Sequence, residues 1–401
     1  MPGRTTMAQA MVRFPDGTTK AYERGTTLAD VARDRAAVDA LAAKVDGVER
    51  DLSARLEGDA AVEWLTFADL AGKTIYWHST AHLLAQAVRE LFPEAKLAIG
   101  PPIEDGFYYD FDIGRPFTPE DLDRIEARMR DLAKRDEPIE RVQLPRAEAA
   151  RLFTAVGDRY KLELLEGIPD DPVSFYRQNG FQDMCRGPHL PSTGRIKAVK
   201  LLSTSGAYWR GDEHREMLQR IYGISFPTQS ELDGYLERLE EAKRRDHRKL
   251  GRELELFVSV PEVGQGLPLW LPRGATVRRV LDRYITDLEL SLGYQHVHTP
   301  DLASIELYKI SGHWDHYRDN MYPPMKVDNE ELVLRPMNCP HHIMIFKHGR
   351  HSYRELPIRI AELGTMYRYE RSGTLSGLSR VRAMTLNDAH IFCRPDQLTD
   401  E

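Results

Sequence analysis

Cysteine and long apolar runs are in short supply in this sequence and basic residues are outnumbered by acidic ones, 55 to 62, and each of these features excludes something. There are three cysteines in 401 residues, Cys185, Cys339 and Cys393. An odd, sparse set in a long chain excludes a disulfide framework and predicts a reducing compartment. Cys339 is followed by Pro340, His341 and His342, which is neither a CxxC nor an HExxH zinc pattern. The opening MPGRTTMAQAMVRF lacks the apolar core of a signal peptide. No run of about 18 apolar residues follows it, so no membrane partner and a soluble, cytoplasmic protein are expected. A net charge of −7 argues against wholesale coating of nucleic acid and leaves room for local basic patches. Core-forming residues are plentiful: 41% of 401 positions are hydrophobic. A chain of this length predicts two to four domains.

Residues 8–68 read as a small module. Met11 to Phe14 alternates as a strand, Pro15-Asp16-Gly17 turns, and Thr18 to Tyr22 returns. Thr27 and Asp30 at capping-box spacing open a short helix through Leu28, Val31 and Ala32, and turns follow at Asp46-Gly47 and Gly58-Asp59. This order predicts a ubiquitin-like β-grasp, similar to the TGS domain found at the front of some synthetases and GTPases. None of its residues is expected to be catalytic.

Residues 69–228 carry the first candidate site. Trp77, Ala81, Leu84, Val88 and Leu91 recur at helical spacing, predicting a helix over 75–91. His78 and His82 then lie one turn apart on a neighbouring face. A second four-residue pair, Cys185 and His189, sits in DMCRGPH. Three imidazoles and a thiolate could close a tetrahedral zinc site. They could equally form a metal-free hydrolytic pocket, with imidazoles positioning water and a carboxylate orienting one of them. Spacing does not separate the two. Between the pairs, GPPIEDGFYYDFD runs from a punctuated loop into an aromatic strand where Tyr109 could line a pocket, and Thr118 caps a charged helix to about Arg135. Lys161, taken alone, reads as a surface lysine in a run, RYKLELL, that could be strand or helix. Residues 229–252 read as a linker helix with Lys243, Arg244, Arg245, Arg248, Lys249 and Arg252 crowding its end. It is either a solvated connector or a contact for RNA phosphates.

In residues 253–401, WLPRG precedes an amphipathic helix with Val277, Leu281, Tyr284, Ile285 and Leu288, ended by Gly293. Tyr294 to His298 alternates as a strand and stops at Pro300. The stretch from Ile360 to Cys393 then reads as two strands joined by a Ser/Gly-rich loop. Alternation puts Arg368 and Glu370 on one face, and Arg380, Arg382, Met384, Leu386, Asp388 and His390 on one face of the second strand. Arginines suited to phosphate, a carboxylate and a possible metal-binding imidazole make this a reaction platform.

The ordered set HSTAHLL, DMCRGPH, WLPRG, SGHWDHY, RPMNCPHH, YRYE and RVRAMTLNDAHIF resembles threonyl-tRNA synthetases of class II. The resemblance covers essentially the whole chain. It implies a multidomain α+β fold: TGS-like β-grasp domain, α/β editing domain, linker helix and a partial class II catalytic domain with an antiparallel sheet. It further implies that Arg368 grips the α-phosphate and the amino-acid carboxylate. Glu370 helps to position ATP with its Mg2+, Arg380 reaches the terminal phosphates, and Met384 stands where an aromatic commonly stacks on adenine. Met337, inside RPMNCPHH, joins the implied catalytic set. Cys339 and His390 match two of three protein ligands of a catalytic-domain zinc, and Asp388 would accept the threonine hydroxyl. His78, His82, Tyr109, Lys161, Asp183, Cys185 and His189 would form an editing pocket, without zinc, that cleaves seryl-tRNA(Thr). Gly293 to Pro300 matches motif 1 and implies a homodimer; the other implied partners are tRNA(Thr), L-threonine and ATP.

A physical reason supports the second pocket: a site built for a hydroxyl rejects valine well, but a missing methyl in serine yields only about 10- to 200-fold discrimination. The sequence departs from the family at Met384 and at Leu386, where a polar Gln is often seen. Motif 3, the third zinc ligand and the anticodon-binding domain have no match, so an N-terminal part of a longer synthetase, or a shortened product, is expected. A seryl-tRNA(Thr) deacylase alone and a non-catalytic RNA-binding or regulatory module are the alternatives.

Overall fold

The computed structural model describes residues 9–401, so residue 8, where the front module is predicted to begin, lies outside the described residues. The chain divides into two compact units between Arg238 and Leu239.

In the first unit, β1 (Gln9–Arg13) and β2 (Thr19–Glu23) form the expected hairpin. Asp16 closes its turn by accepting from the Thr18 N–H at 2.9 Å. α1 (Leu28–Asp34) begins at Thr27, whose hydroxyl accepts from the Asp30 N–H. β3 (Ala42–Val45), β4 (Val48–Arg50) and β5 (Ala60–Leu65) complete a sheet of order β2-β1-β5-β3-β4, with β5 parallel to β1. Ala10, Val12, Leu28, Val31, Leu56 and Val62 pack inside this β-grasp arrangement.

α2 (Leu70–Leu91) starts a turn earlier than periodicity predicts and is buried on nearly every side from Ile75 to Val88. A helix wrapped in this way belongs to the interior, and here it is the axis of the largest core. β6 (Lys96–Leu97), β7 (Pro102–Ile103) and β8 (Gly106–Asp112) follow, then α3 (Pro119–Lys134), whose Thr118–Asp121 capping box is complete. Next come β9 (Glu140–Leu144), α4 (Arg146–Ala155) and α5 (Arg159–Glu166). The RYKLELL run is thus helical. β10 (Val173–Gln178) and β11 (Phe181–Met184) join β9 in a small sheet of order β11-β10-β9. β12 (Ala198–Tyr208) and β13 (Met217–Phe226) extend the larger one, β12-β13-β8-β6.

The predicted linker helix is two helices, α6 (Gln229–Arg244) and α7 (His247–Glu253). It breaks because the Asp246 carboxylate accepts from the Arg248 N–H at 2.7 Å, capping a new helix. Lys243, Arg244 and Arg245 are paired with Glu240 and Glu241, which tempers the basic cluster.

The second unit contains β14 (Phe257–Val258), β15 (Leu269–Trp270), α8 (Pro272–Ser291), β16 (Gln295–His296) and β17 (Leu302–Ser304). After them come α9 (Ile305–Ile310), α10 (His313–His316), β18 (Met325–Val327), β19 (Glu330–Leu334) and α11 (Cys339–His348). The predicted hairpin is β20 (Ile358–Tyr367) and β21 (Ala383–Phe392), antiparallel from Ile358↔Phe392 to Tyr367↔Ala383. Both strands stop short of the arginines: the Tyr367 N–H turns to the Arg335 carbonyl and the Arg382 N–H to Gly266. β16 adds to β20 in parallel. The apolar stripe of α8 (Val277, Leu281, Tyr284, Leu288) is exposed in this chain.

Among the described residues no helix is long and apolar enough to cross a membrane. Leu84, fully buried on the core helix, is a clean gauge of the first unit. Leu84→Ala is expected to cost about 2–5 kcal/mol in urea unfolding; a change below about 1 kcal/mol would contradict this packing.

Candidate functional site

Two constellations emerge, one in each unit. In the first, helical spacing turns His78 and His82 of α2 toward the segment after β11 that carries Cys185 and His189. Cys185 Sγ lies 3.3 Å from His78 Nε2 and 3.2 Å from His189 Nε2. The His82 and His189 ring centres are 4.4 Å apart.

Hydrogen bonds fix the orientation of His189. Ser79 Oγ donates to the Ile75 carbonyl at 2.8 Å and accepts from the Leu190 N–H at 2.9 Å. With its proton so committed, its 3.0 Å contact to His189 Nδ1 assigns the hydrogen to the imidazole, leaving Nε2 to accept from the Cys185 thiol. Burial pushes the thiol up to about 12, consistent with that donor role. Burial, then the neighbouring His82, pushes His78 down to about 3; burial chiefly pushes His82 down to about 4 and His189 well below its ordinary value. Three neutral imidazoles therefore face one another.

Behind them sits a buried ion pair. Lys161 Nζ on α5 is 2.6 Å from Asp183 Oδ1, with the side chains 5% and 3% exposed. Tyr109 on β8 donates its hydroxyl to Asp183 Oδ2 at 2.7 Å and accepts from Lys161 at 3.1 Å. Burial alone would raise the Asp183 carboxyl; Lys161, His82 and the Tyr109 hydroxyl outweigh it, and the net shift is downward. His82 Nδ1 stands 4.0 Å from Asp183 Oδ2. All seven residues singled out in this region thus converge, and Lys161 is a buried cation rather than a surface lysine.

These atoms can hold a water between neutral imidazole acceptors beside a fixed positive charge. They also fit a zinc ion, since one ligand atom from each of His78, His82, Cys185 and His189 lies within 4.8 Å of the others. Geometry keeps both chemistries open. Sequence reasoning missed Ser79, Tyr176 and Asp51, whose hydroxyls and carboxylate brace this loop; nothing in their local spacing marks them.

In the second unit, β20 and β21 present Glu362, Gly364, Met384, Leu386, Asp388 and His390 on one face. α11 lies against that face: at Gly364 a Cβ would stand 2.3 Å from the Asn338 amide. Cys339, Asp388 and His390 each offer a ligand atom within 4.8 Å of the others. Glu362, 1% exposed, accepts from the Thr299 N–H and hydroxyl, both at 2.8 Å, and pairs with Arg335 at 3.5 Å. Burial tends to raise its carboxyl, and these partners bring the net shift below the ordinary value. Glu362 Oε2 is 3.1 Å from His342 Nε2, whose Nδ1 is 2.8 Å from His390 Nδ1. An ionised Glu362 takes the His342 Nε2 hydrogen, so His390 Nδ1 donates to His342 and His390 Nε2 is left with a free lone pair. Burial lowers the His390 pKa, keeping the ring neutral as ligation requires. The donor set fits a zinc ion. Arg335, Glu362, His342 and Thr299 were not foreseen; the signal was a glutamate among Ile358, Ile360, Gly364 and Met366 on an otherwise apolar face of its strand.

Arg368 follows β20, with a buried Nε that has no hydrogen-bond partner among the described residues. Glu370 and Arg380 lie beyond the strand ends and pair with each other at 2.9 Å. Arg382 donates to the Glu370 carbonyl at 3.0 Å, bracing the loop instead of lining it. Met384 and Leu386 border a cavity of about 670 Å3 with Trp270, Arg278 and Thr365. Met337 lies in the short segment between β19 and α11.

Comparison with known proteins agrees with this division. The tRNA synthetase class II core domain (G, H, P, S and T) matches residues 324–401, and the threonyl and alanyl tRNA synthetase second additional domain matches residues 173–222. These are the regions of β18–β21 and of the Cys185–His189 segment, so the chain carries part of a class II aminoacyl-tRNA synthetase core with its additional domain. A threonine-tRNA ligase of Geobacillus kaustophilus is 58% identical over 97% of this chain and 60% of its own length. Threonine-tRNA ligase 1 of Bacillus subtilis is 57% identical over 97% of this chain and 61% of its own. Over nearly its whole length the chain is similar to threonine-tRNA ligases, and it spans about 60% of the length of these curated relatives. Among solved structures, the RNA binding domain of threonyl-tRNA synthetase from Cryptosporidium parvum Iowa II is 44% identical over 39% of each chain, with a TM-score of 0.38.

The histidine pocket has a pH consequence. Folded-state pKa values of about 3 and 4 lie below the ordinary 6.5 for His78 and His82. Between those values the unfolded chain binds more protons, so stability is full above about pH 6.5 and falls as pH drops toward 4. The urea midpoint is expected to drop between pH 7 and pH 5, and His82→Gln to shrink that drop. An identical pH slope in the variant would rule out this linkage.

Proposed function

We propose that this protein takes part in ATP-dependent ligation of L-threonine to tRNA(Thr) through threonyl-adenylate, with hydrolytic editing of mischarged seryl-tRNA(Thr). The observation that carries the proposal is the convergence of His78, His82, Cys185 and His189 onto the buried Lys161–Asp183–Tyr109 group. In this reading the domains are 8–68 (TGS-like), 69–228 (editing), 229–252 (basic linker) and 253–401 (catalytic).

In the editing pocket the neutral imidazoles of His78 and His82 accept hydrogen bonds from the attacking water, while both nitrogens of His189 are already engaged. The Lys161 ammonium, anchored by Asp183, opposes the negative charge that grows on the ester carbonyl oxygen. Tyr109 holds Lys161 and Asp183 in register. Neutral imidazoles and a protonated thiol suit metal-independent hydrolysis.

In the catalytic domain, the unpartnered buried Nε of Arg368 supports its assignment to the α-phosphate and the threonine carboxylate. Glu370 and Arg380, paired with each other at the strand ends, are assigned to ATP with Mg2+, the arginine to the terminal phosphates. Met384 packs on adenine through its thioether, and Met337 completes the wall. Cys339 and His390 would hold zinc, which when bound supplies a Lewis acid for the amino and hydroxyl groups of threonine. Asp388 accepts the hydroxyl hydrogen. Valine would leave that acceptor unpaired; serine would satisfy it, which is why a second sieve is needed. The exposed apolar stripe of α8 supports a homodimer through the motif 1 region. A cytoplasmic location suits three free cysteines.

The experiment is deacylation of seryl-tRNA(Thr) by the 401-residue chain. Hydrolysis is expected, with His78→Ala and Cys185→Ala each reducing it at least about 100-fold; absence of hydrolysis would falsify the editing assignment. A deacylase without ligase activity is the second reading, favoured by the pocket's containment within the first unit. It predicts no threonine-dependent pyrophosphate exchange. For the metal, the chain should bind zinc with His342→Ala weakening it about 10- to 100-fold, read as zinc retained on dialysis against a chelator. Equal retention would remove His342 from the site.

A further inference from the structure

The front module, expected to contribute nothing to chemistry, reaches into the pocket at one residue. Asp51 follows β4. Its Oδ1 accepts the backbone N–H of His189 at 2.7 Å, and its Oδ2 accepts the Tyr176 hydroxyl at 2.7 Å. Tyr176 on β10 is opposite Asp183 on β11, and its ring centre is 4.2 Å from that of His189. The hydroxyl stands against Gly187, φ +71°, where a Cβ would come within 1.8 Å of it. The Cys185–His189 loop is therefore clamped from two directions, by Ser79 on α2 and by the Asp51–Tyr176 pair.

The clamp is on rigid ground. The neighbouring Leu52 is buried in the grasp core, and its carbonyl accepts the Ala29 N–H at 2.8 Å. Leu41, Ala42 and Leu65 of the same module are packed in the core built around α2. Arg195 donates to the carbonyls of Val38 at 3.1 Å and Ala40 at 3.4 Å. The module is thus joined to the segment around the pocket by the packing of Leu41, Ala42 and Leu65 and by the Arg195 hydrogen bonds, besides the contacts of Asp51 itself.

Resting on the editing assignment above, we propose that Asp51 is a positioning residue of the hydrolytic pocket: its carboxylate, held between the His189 N–H and the Tyr176 hydroxyl, sets where His189 and Cys185 stand. The N-terminal module then governs editing rate without touching the substrate. A carboxylate that accepts two hydrogen bonds locks a loop more tightly than either bond alone, and a displacement of about 1 Å at a reacting group can cost about 100-fold in rate.

The test is steady-state deacylation of seryl-tRNA(Thr) by the 401-residue chain, with Asp51→Ala, Asp51→Asn, Tyr176→Phe and the Ala/Phe double variant. Asp51→Ala is expected to lower kcat about 10- to 100-fold with KM changed by less than about twofold. Asp51→Asn keeps an acceptor oxygen and should lose less. The double variant should lose less than the product of the two single losses, because both remove one clamp. Asn also preserves side-chain shape, so it carries the test if the alanine variant fails to fold, as judged by urea midpoint. If the unaltered chain hydrolyses the substrate and His78→Ala does not, but both Asp51 variants keep full kcat, the positioning role is overturned and the editing assignment stands. A loss confined to KM, or fully multiplicative losses, also overturns it. No hydrolysis by the unaltered chain overturns both.

Discussion

The first unit depends on one interaction that water would otherwise forbid: the Asp183 carboxylate and the Lys161 ammonium, 2.6 Å apart and nearly free of solvent. Removing such charges from water is costly, and the pair is tolerable only where the remaining hydrogen-bonding positions are filled. Asp183 also receives the Tyr109 hydroxyl at 2.7 Å and the Met184 N–H at 2.8 Å. Meeting those demands draws β8, α5 and β11 to one point, and that point lies behind the histidines of α2. The energetic need of the ion pair and the geometry of the pocket are the same requirement.

The second unit uses the same device with different residues. Glu362 is buried on the hairpin face and held by Thr299, Arg335 and His342. Through His342 it dictates which nitrogen of His390 is free. A carboxylate one shell away from the candidate metal ligands thereby decides what His390 can bind. The Arg368 Nε is left as a buried donor with no acceptor among the described residues, an exception among buried polar groups.

In the proposed function the two constellations answer complementary problems of recognition. A hydroxyl acceptor, the role proposed for Asp388, discriminates by leaving polar groups unpaired when the wrong side chain binds, while absence of a methyl offers little to discriminate against. A second pocket with neutral imidazoles and a fixed ammonium suits hydrolysis of what passes the first. The bond between Asp51 and the His189 backbone gives the small front module a physical connection to that second pocket.

Much of the local structure was legible from the chain. Capping residues marked α1 and α3, alternation marked the β20–β21 hairpin, and four-residue spacing put His78 beside His82 and Cys185 near His189. The resemblance then supplied the roles. Local patterns report local geometry because periodicities of two and 3.6 residues are properties of a single element. They erred where a competing hydrogen bond intervened: the Asp246 side chain split the linker helix, and Tyr367 and Arg382 gave their N–H groups to the backbone carbonyls of Arg335 and Gly266, ending the hairpin before its arginines. The partner of a buried charge is chosen by packing between elements far apart in sequence, which no local period encodes. Lys161 therefore looked like a surface residue until α5 met β8 and β11. Asp51, Tyr176, Arg335 and His342 acquired meaning only when tertiary structure put a carboxylate, a hydroxyl or a ring within hydrogen-bond reach.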